Sequence, residues 1–285
     1  MSFKHTILII LVMLLLGSAY PMGKFGLIAS SNPILFGALR MGILFLCLAP
    51  FCNLKIPPKK YFLPLFGFSI CMGAGVNMFL YLSIDAASIL APITIGAQLS
   101  IPFAIILSSL FLGESINFKK WILIFTSFLG IILIAFDPKI SEEILAIILV
   151  FAMAFFYGLS QAFSRYLREL DVKFTSAFMG FVGFVVLVAI SQFVEGNVIN
   201  QIKNIDRDGW LAIFYAGMII SIFGHMMMFY LYKFYPVGMV LPFYALFPVF
   251  GLLLTFLIFG EIPTLIMVIG GIIVITSVFL LNKTR

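Results

Sequence analysis

Charge is scarce in this chain: 17 basic and 11 acidic side chains stand among 285 residues, 10% of the total against 63% hydrophobic. So few charges cannot keep a soluble globule wetted, and a mean hydropathy of +1.22 points to a polytopic membrane protein. Histidine is limited to His5 and His225, too few for a histidine-based metal cluster. Cys47, Cys52 and Cys71 are too loosely spaced for a disulfide framework or a CxxC site and read as reduced packing residues. HExxH, a paired aspartate-rich motif, GxSxG and a glycine-rich phosphate loop with its lysine are all missing, so no enzyme is expected. The net charge of +6 comes from basic residues scattered between apolar runs, which argues against nucleic acid as a partner.

What the chain has in quantity is apolar runs. Counted against breakers, they predict ten spans of roughly 18–25 residues, at 6–27, 33–52, 61–83, 88–112, 118–136, 143–164, 174–194, 209–232, 236–259 and 264–281. Only Glu195 to Asp208 is long enough to lie along the surface. Met1 to Tyr20 has the look of a leader peptide, yet spans follow it without a break and it reads as the first helix. With the N-terminus in the cytoplasm, twelve Lys and Arg fall inside and four outside, Arg40 lying within span two. That bias places both termini in the cytoplasm.

The second half repeats the first. Ala87 to Glu114 holds Thr94, Gln98 and Pro102 four residues apart on one face, with Gly96, Ser100, Ala104 and Ser108 as a small-residue stripe on another. One face is expected to pack and the other to line a cavity. Pro102 deprives the Gln98 carbonyl of its helical donor, and Pro248 does the same to Tyr244. Gly113-Glu114 recurs as Gly260-Glu261 at an offset of 147, Gly17 and Lys24 recur as Gly158 and Arg165 at 141, and Asn77 falls opposite His225 at about 148. A half-chain period of this kind signals a two-repeat transporter. Five spans per repeat is odd, so repeats 1–137 and 138–285 must insert in opposite directions. The expected fold is an all-α polytopic membrane protein of ten transmembrane helices in two inverted five-helix repeats.

These residues carry a resemblance. Two five-span halves, each closing in Gly-Glu twelve or thirteen residues after a proline, with Arg40 in the second helix, resemble the EamA-type transporters of the drug/metabolite transporter superfamily. The segment around Gln98 and the stretch LPFYALFPVFGLLLTFLIFGE look especially like the exporters of cysteine and O-acetylserine within it. The chain departs from its relatives in placing Leu16 and Tyr157, where they often carry tryptophan, before the glycines of spans one and six. The resemblance implies export of small metabolites.

Polar side chains deep in a bilayer are the candidate site residues. Gln98 either lines a cavity or bonds one helix to another. Asn77 and His225 lie at mirrored depths; His225 either couples a proton or is capped by a carbonyl near the inner gate. Tyr20 after Gly17, Gln161 with Ser160 and Ser164, Thr94, and Tyr244 complete the expected substrate-binding set. Arg40 either snorkels to the headgroups or binds a carboxylate, the structural role being favoured. It joins Pro102, Pro248, Glu114 and Glu261 as gating or structural residues, the two glutamates salt-bridging at helix ends to hold one alternating state. Met226, Met227 and Met228 are expected to form an adaptable apolar wall. The expected activity is alternating-access export of amino acids or their derivatives across the plasma (bacterial inner) membrane. Its partners are a small-molecule substrate and the lipid bilayer, as monomer or homodimer. No cofactor is expected, and coupling to the proton gradient would rest on His225. Alternatives are a carrier of nucleotide-sugars, amines or nucleobases, or a membrane enzyme or scaffold.

Overall fold

A computed structural model of the chain describes residues 3–29, 32–52, 57–113, 115–140, 143–224, 227, 231, 234–235 and 240–283. Among the described residues there is no strand. In chain order the helices are α1 (Phe3–Ile28), α2 (Pro33–Phe51), α3 (Lys59–Asp85), α4 (Ala91–Phe111), α5 (Phe118–Ala135), α6 (Ile144–Tyr166) and α7 (Val172–Val194). The short α8 (Val198–Asn204) follows, then α9 (Arg207–Phe214), prolonged through Tyr215–Gly224, α10 (Phe243–Phe259) and α11 (Leu265–Lys283). The first seven and α11 are long and apolar enough to cross a bilayer, and α10 is a shorter apolar helix. The predicted spans 209–232 and 236–259 fall on α9 and α10. Between them only 227, 231, 234–235 and 240 onward are described; His225, Met226 and Met228 lie outside the described residues, as does Glu114.

Surface chemistry identifies the solvent. On α5 the exposed stripe is Trp121, Ile122, Phe125, Leu129 and Ile132, and the buried face carries Ser127 and Gly130 beside Ile124, Ile131 and Ile134. A helix in water would turn its polar side chains outward. Here the small and polar residues face the protein and the large apolar ones face out, as a lipid-solvated helix requires. The protein is an all-α polytopic membrane protein.

The two halves share their irregularities as well as their pattern. Backbone hydrogen bonds widen to π-helix over Ser69–Gly75 of α3 and over Tyr215–Gly224, its counterpart in the second half. They tighten to 3-10 over Ala97–Leu99 in α4 and over Leu241–Ala245 at the start of α10, each just before its proline. Gly113 and Gly260 close their helices with φ 67° and 68°, a left-handed turn that a side chain would strain. Packing obeys the same exchange. Helix α1 packs on α10 as α6 packs on α4, α3 meets α6 and α7 as α9 meets α1 and α2, and each half gives one helix to the pairs α2–α7 and α5–α11.

Glycine lets these crossings close. A Cβ on Gly158 would lie 2.7 Å from the Ala104 nitrogen, and one on Gly17 2.6 Å from the Phe247 oxygen. Gly130 and Gly270 abut each other's carbonyls across α5 and α11. Van der Waals contact of this closeness replaces the hydrophobic drive that lipid does not supply.

Candidate functional site

A cavity of about 1520 Å³ lies between the halves. Its wall runs out to Lys120, Arg165, Arg168 and Lys173 at one end of the bundle; toward the other it ends among Arg40, Leu80 and Ala97. The mouth thus sets four cations against Asp171, the one carboxylate of the wall among the described residues. At the same end the Tyr61 hydroxyl donates to Glu169 and Lys60 stands 3.6 Å from it, which together hold that carboxyl below its usual range.

At the opposite end a bridge joins the two halves. Lys24 Nζ meets Glu261 Oε1 at 2.6 Å and donates to the Ser88 carbonyl at 2.6 Å, while Glu261 Oε2 accepts from the Leu90 N–H at 2.8 Å. Glu143 accepts from the Ser88 N–H at 3.0 Å and from the Ser88 hydroxyl. One carboxylate therefore both neutralises a lysine and caps the start of α4.

Gln98, Asn77, Tyr20, Gln161 and Tyr244 all line the cavity. Gln98, 1% exposed, donates from Nε2 to the Tyr244 carbonyl at 3.2 Å. This is the carbonyl that Pro248 deprives of its helical donor. With Nε2 committed there, Oε1 is buried and has no partner among the described residues. Asn77 is arranged likewise: Nδ2 donates to the Met72 and Gly73 carbonyls at 3.0 Å each, and Oδ1 has no partner among the described residues. Tyr20 stacks on Phe247 with centroids 6.2 Å apart.

Thr94 stands elsewhere. It is fully buried, bonds the Leu90 carbonyl at 3.0 Å and packs against Gly251 of α10, outside the cavity wall. Pro102 is buried too and absent from the wall, whereas Ser100, Ala104 and Ser108 of the small stripe take part in it. The 3-10 turn at Ala97–Leu99 explains the change of face. Three residues at 3.0 per turn advance the helix about 60° beyond an α-helix, so the phase set at Thr94 is lost by Pro102.

Arg40 does not reach a headgroup. It is 8% exposed and donates from Nε to Ser221 Oγ and from Nη1 to Tyr81 Oη, both at 3.0 Å, at the deep end of the cavity. Its burial and its bonds to Tyr81 of α3 and to Ser221 beyond α9 turn it into the protein and away from the headgroups. Tyr81 and Ser221 are absent from the set expected from the sequence, although Tyr81 lies one helical turn from Asn77. Methionines 41, 72, 153, 179 and 227 line the wall, a wider thioether surface than the triplet expected from the sequence. No group of three or more potential metal-ligating side chains occurs among the described residues.

Replacing Gln98 by leucine removes a donor from the Tyr244 carbonyl at a cost of about 1–3 kcal/mol. Initial transport rates are expected to fall about tenfold, with a detectable drop in detergent Tm; wild-type values for both would remove Gln98 from site and interface alike.

Comparison with known proteins follows the same outline. No curated protein sequence matches the chain. A solved structure described only as a crystal structure of a protein is similar in fold, with a TM-score of 0.64 over 96% of each chain at 16% identity. The family model described as EamA-like transporter matches residues 4–136 and again 144–283. This two-fold match covers nearly the whole chain, and the chain belongs to the EamA-like transporter family.

Proposed function

We propose that this protein exports amino acids or their derivatives by alternating access, and that the conformation described here is open to the cytoplasm and closed outside. The observation that carries this reading is the single-ended cavity, basic at its mouth and lined deeper by amides, tyrosines and one arginine. The mouth residues Lys120, Arg165, Arg168 and Lys173 belong to the Lys/Arg-rich side, which the positive-inside rule assigns to the cytoplasm of a plasma (bacterial inner) membrane. A volume of about 1520 Å³ exceeds the ~300–1000 Å³ of an ordinary small-molecule pocket, as suits a vestibule still open at one side.

In this reading repeats 1–137 and 138–285 are the moving bodies, inserted in opposite directions. The Lys24–Glu261 bridge holds the outer end shut. Offsets of 141 and 147 put Arg165 and Glu114 in the matching places at the inner end, where they are the pair to close it in the opposite state. Neutral amide oxygens deep in the wall suit substrates carrying N–H groups. Coupling through His225 concerns a residue outside the described ones.

The test is counterflow in proteoliposomes with a panel of amino acids, amines, nucleobases and nucleotide-sugars, with and without a pH gradient. Exchange of one or more amino acids is expected. No exchange of any amino acid would overturn the reading, and acceleration by the gradient that survives His225→Ala would remove the histidine from coupling.

A further inference from the structure

Arg40 is a buried cation without a counter-ion among the described residues. Among the described residues no carboxylate pairs with it, and its two hydrogen-bond partners, Ser221 and Tyr81, are neutral. Removing a guanidinium from water costs several kcal/mol unless an anion meets it. Two of its five N–H donors are taken, and among the described residues nothing accepts the other three. The wall to which it belongs offers no acid at this depth, since Asp171 stands at the mouth.

The surroundings hold the guanidinium in place. Ser221 gives its own proton to the Ala216 carbonyl at 2.9 Å, so toward Arg40 it can only accept. Tyr81 is fully buried, its ring 4.5 Å from that of Phe36 and flanked by Gly23 and Gly37, where any Cβ would lie 3.2–3.3 Å from it. Accepting from Nη1, the Tyr81 hydroxyl braces that corner of the guanidinium from behind the cavity wall, which Tyr81 itself does not line. A planar fork fixed at two corners, with its remaining N–H groups unspent, matches a carboxylate. One helical turn before Tyr81 stands Asn77, whose Oδ1 lacks a donor while its Nδ2 is anchored to two carbonyls.

We infer that Arg40, braced by Tyr81 and Ser221, is the seat of the substrate's carboxylate, and that Asn77, on the same wall, receives the neighbouring ammonium at Oδ1. This rests on the amino-acid export reading and deepens it: the site selects zwitterions. The cations of the mouth draw such carboxylates inward, and the Arg40 fork decides which stay. A mono-anionic carboxylate is favoured over a phosphate, because a single deep cation leaves half of a dianion unneutralised.

The experiment is competition against counterflow of a transported amino acid, using its carboxamide, its N-acetyl derivative, the corresponding decarboxylated amine and a phosphomonoester of similar size. For the wild type, loss of the carboxylate or capping of the ammonium is expected to weaken competition about tenfold or more. In Arg40→Lys the acid-over-amide preference shrinks but persists, in Arg40→Met it falls to near one, and in Asn77→Leu the preference for the free over the N-acetylated amine is lost. Should Arg40→Met not fold, the wild-type series and Arg40→Lys decide the matter. Equal competition by acid and carboxamide, an unchanged preference in Arg40→Met, or stronger competition by the phosphomonoester would overturn the assignment while leaving amino-acid export standing. Exchange of amines or nucleobases alone would instead overturn the export reading.

Discussion

Glu261→Ala is expected to open the outer end of the protein. With Ala97→Cys placed at the cavity floor in a background lacking Cys47, Cys52 and Cys71, a membrane-impermeant maleimide added from outside should react about five to a hundred times faster than in the parent. The range follows from what the carboxylate does. It neutralises Lys24 at 2.6 Å and accepts the Leu90 N–H at 2.8 Å, and both side chains are only about one-seventh exposed, 16% and 14%. This is no surface pair screened to insignificance. Its loss leaves a half-enclosed lysine and an uncapped helix start, about 1–3 kcal/mol of destabilisation confined to the outward-closed state.

Graded variants separate the two jobs. Glu261→Gln keeps an acceptor for Leu90 and should shift labelling less than Glu261→Ala. The double exchange Lys24→Glu with Glu261→Lys restores the charge pair without the cap, so partial recovery is expected. Labelling unchanged in Glu261→Ala would mean that the bridge does not hold this end shut.

Much of this was legible in the sequence, and the parts that were not share a cause. The repeat could be read because prolines and Gly-Glu endings act locally: Pro248 had to strand the Tyr244 carbonyl whatever the helix packed against. Which group would satisfy that carbonyl depended on the register between α4 and α10, and the structure supplies Gln98 from the other half. Thr94 was misplaced for a similar reason, since a continuous α-helix was assumed through a segment that tightens to 3-10. The π-helical stretches carry no sequence mark that separates them from ordinary helix. Arg40 was the hardest case. A helix apolar on every side does not announce which face meets lipid and which meets protein, so a buried and a snorkelling arginine read alike.

Gly158→Ala is expected to damage the fold through a single methyl group. The added carbon would lie 2.7 Å from the Ala104 nitrogen and 2.9 Å from the Phe103 carbonyl carbon, both backbone atoms of α4 that cannot rotate aside. The helices must separate, at a cost of about 1–3 kcal/mol, which for a chain of this size corresponds to a fall in Tm of about 2–10 °C. Gly158→Leu should leave little or no folded protein in detergent. Gly17→Ala must behave alike, because its Cβ meets the Phe247 oxygen at 2.6 Å and the Gly251 nitrogen at 2.8 Å on the mirrored crossing. The two crossings share no residue, so the double variant should show roughly the sum. Gly224→Ala is the contrast: among the described residues its methyl would meet only the flexible Leu16 side chain, at 3.2 Å, and alanine favours helix over glycine, so Tm should hold or rise slightly. If Gly158→Ala and Gly224→Ala melt together at the wild-type temperature, α4 and α6 do not cross backbone to backbone, and the cavity wall they share is built differently.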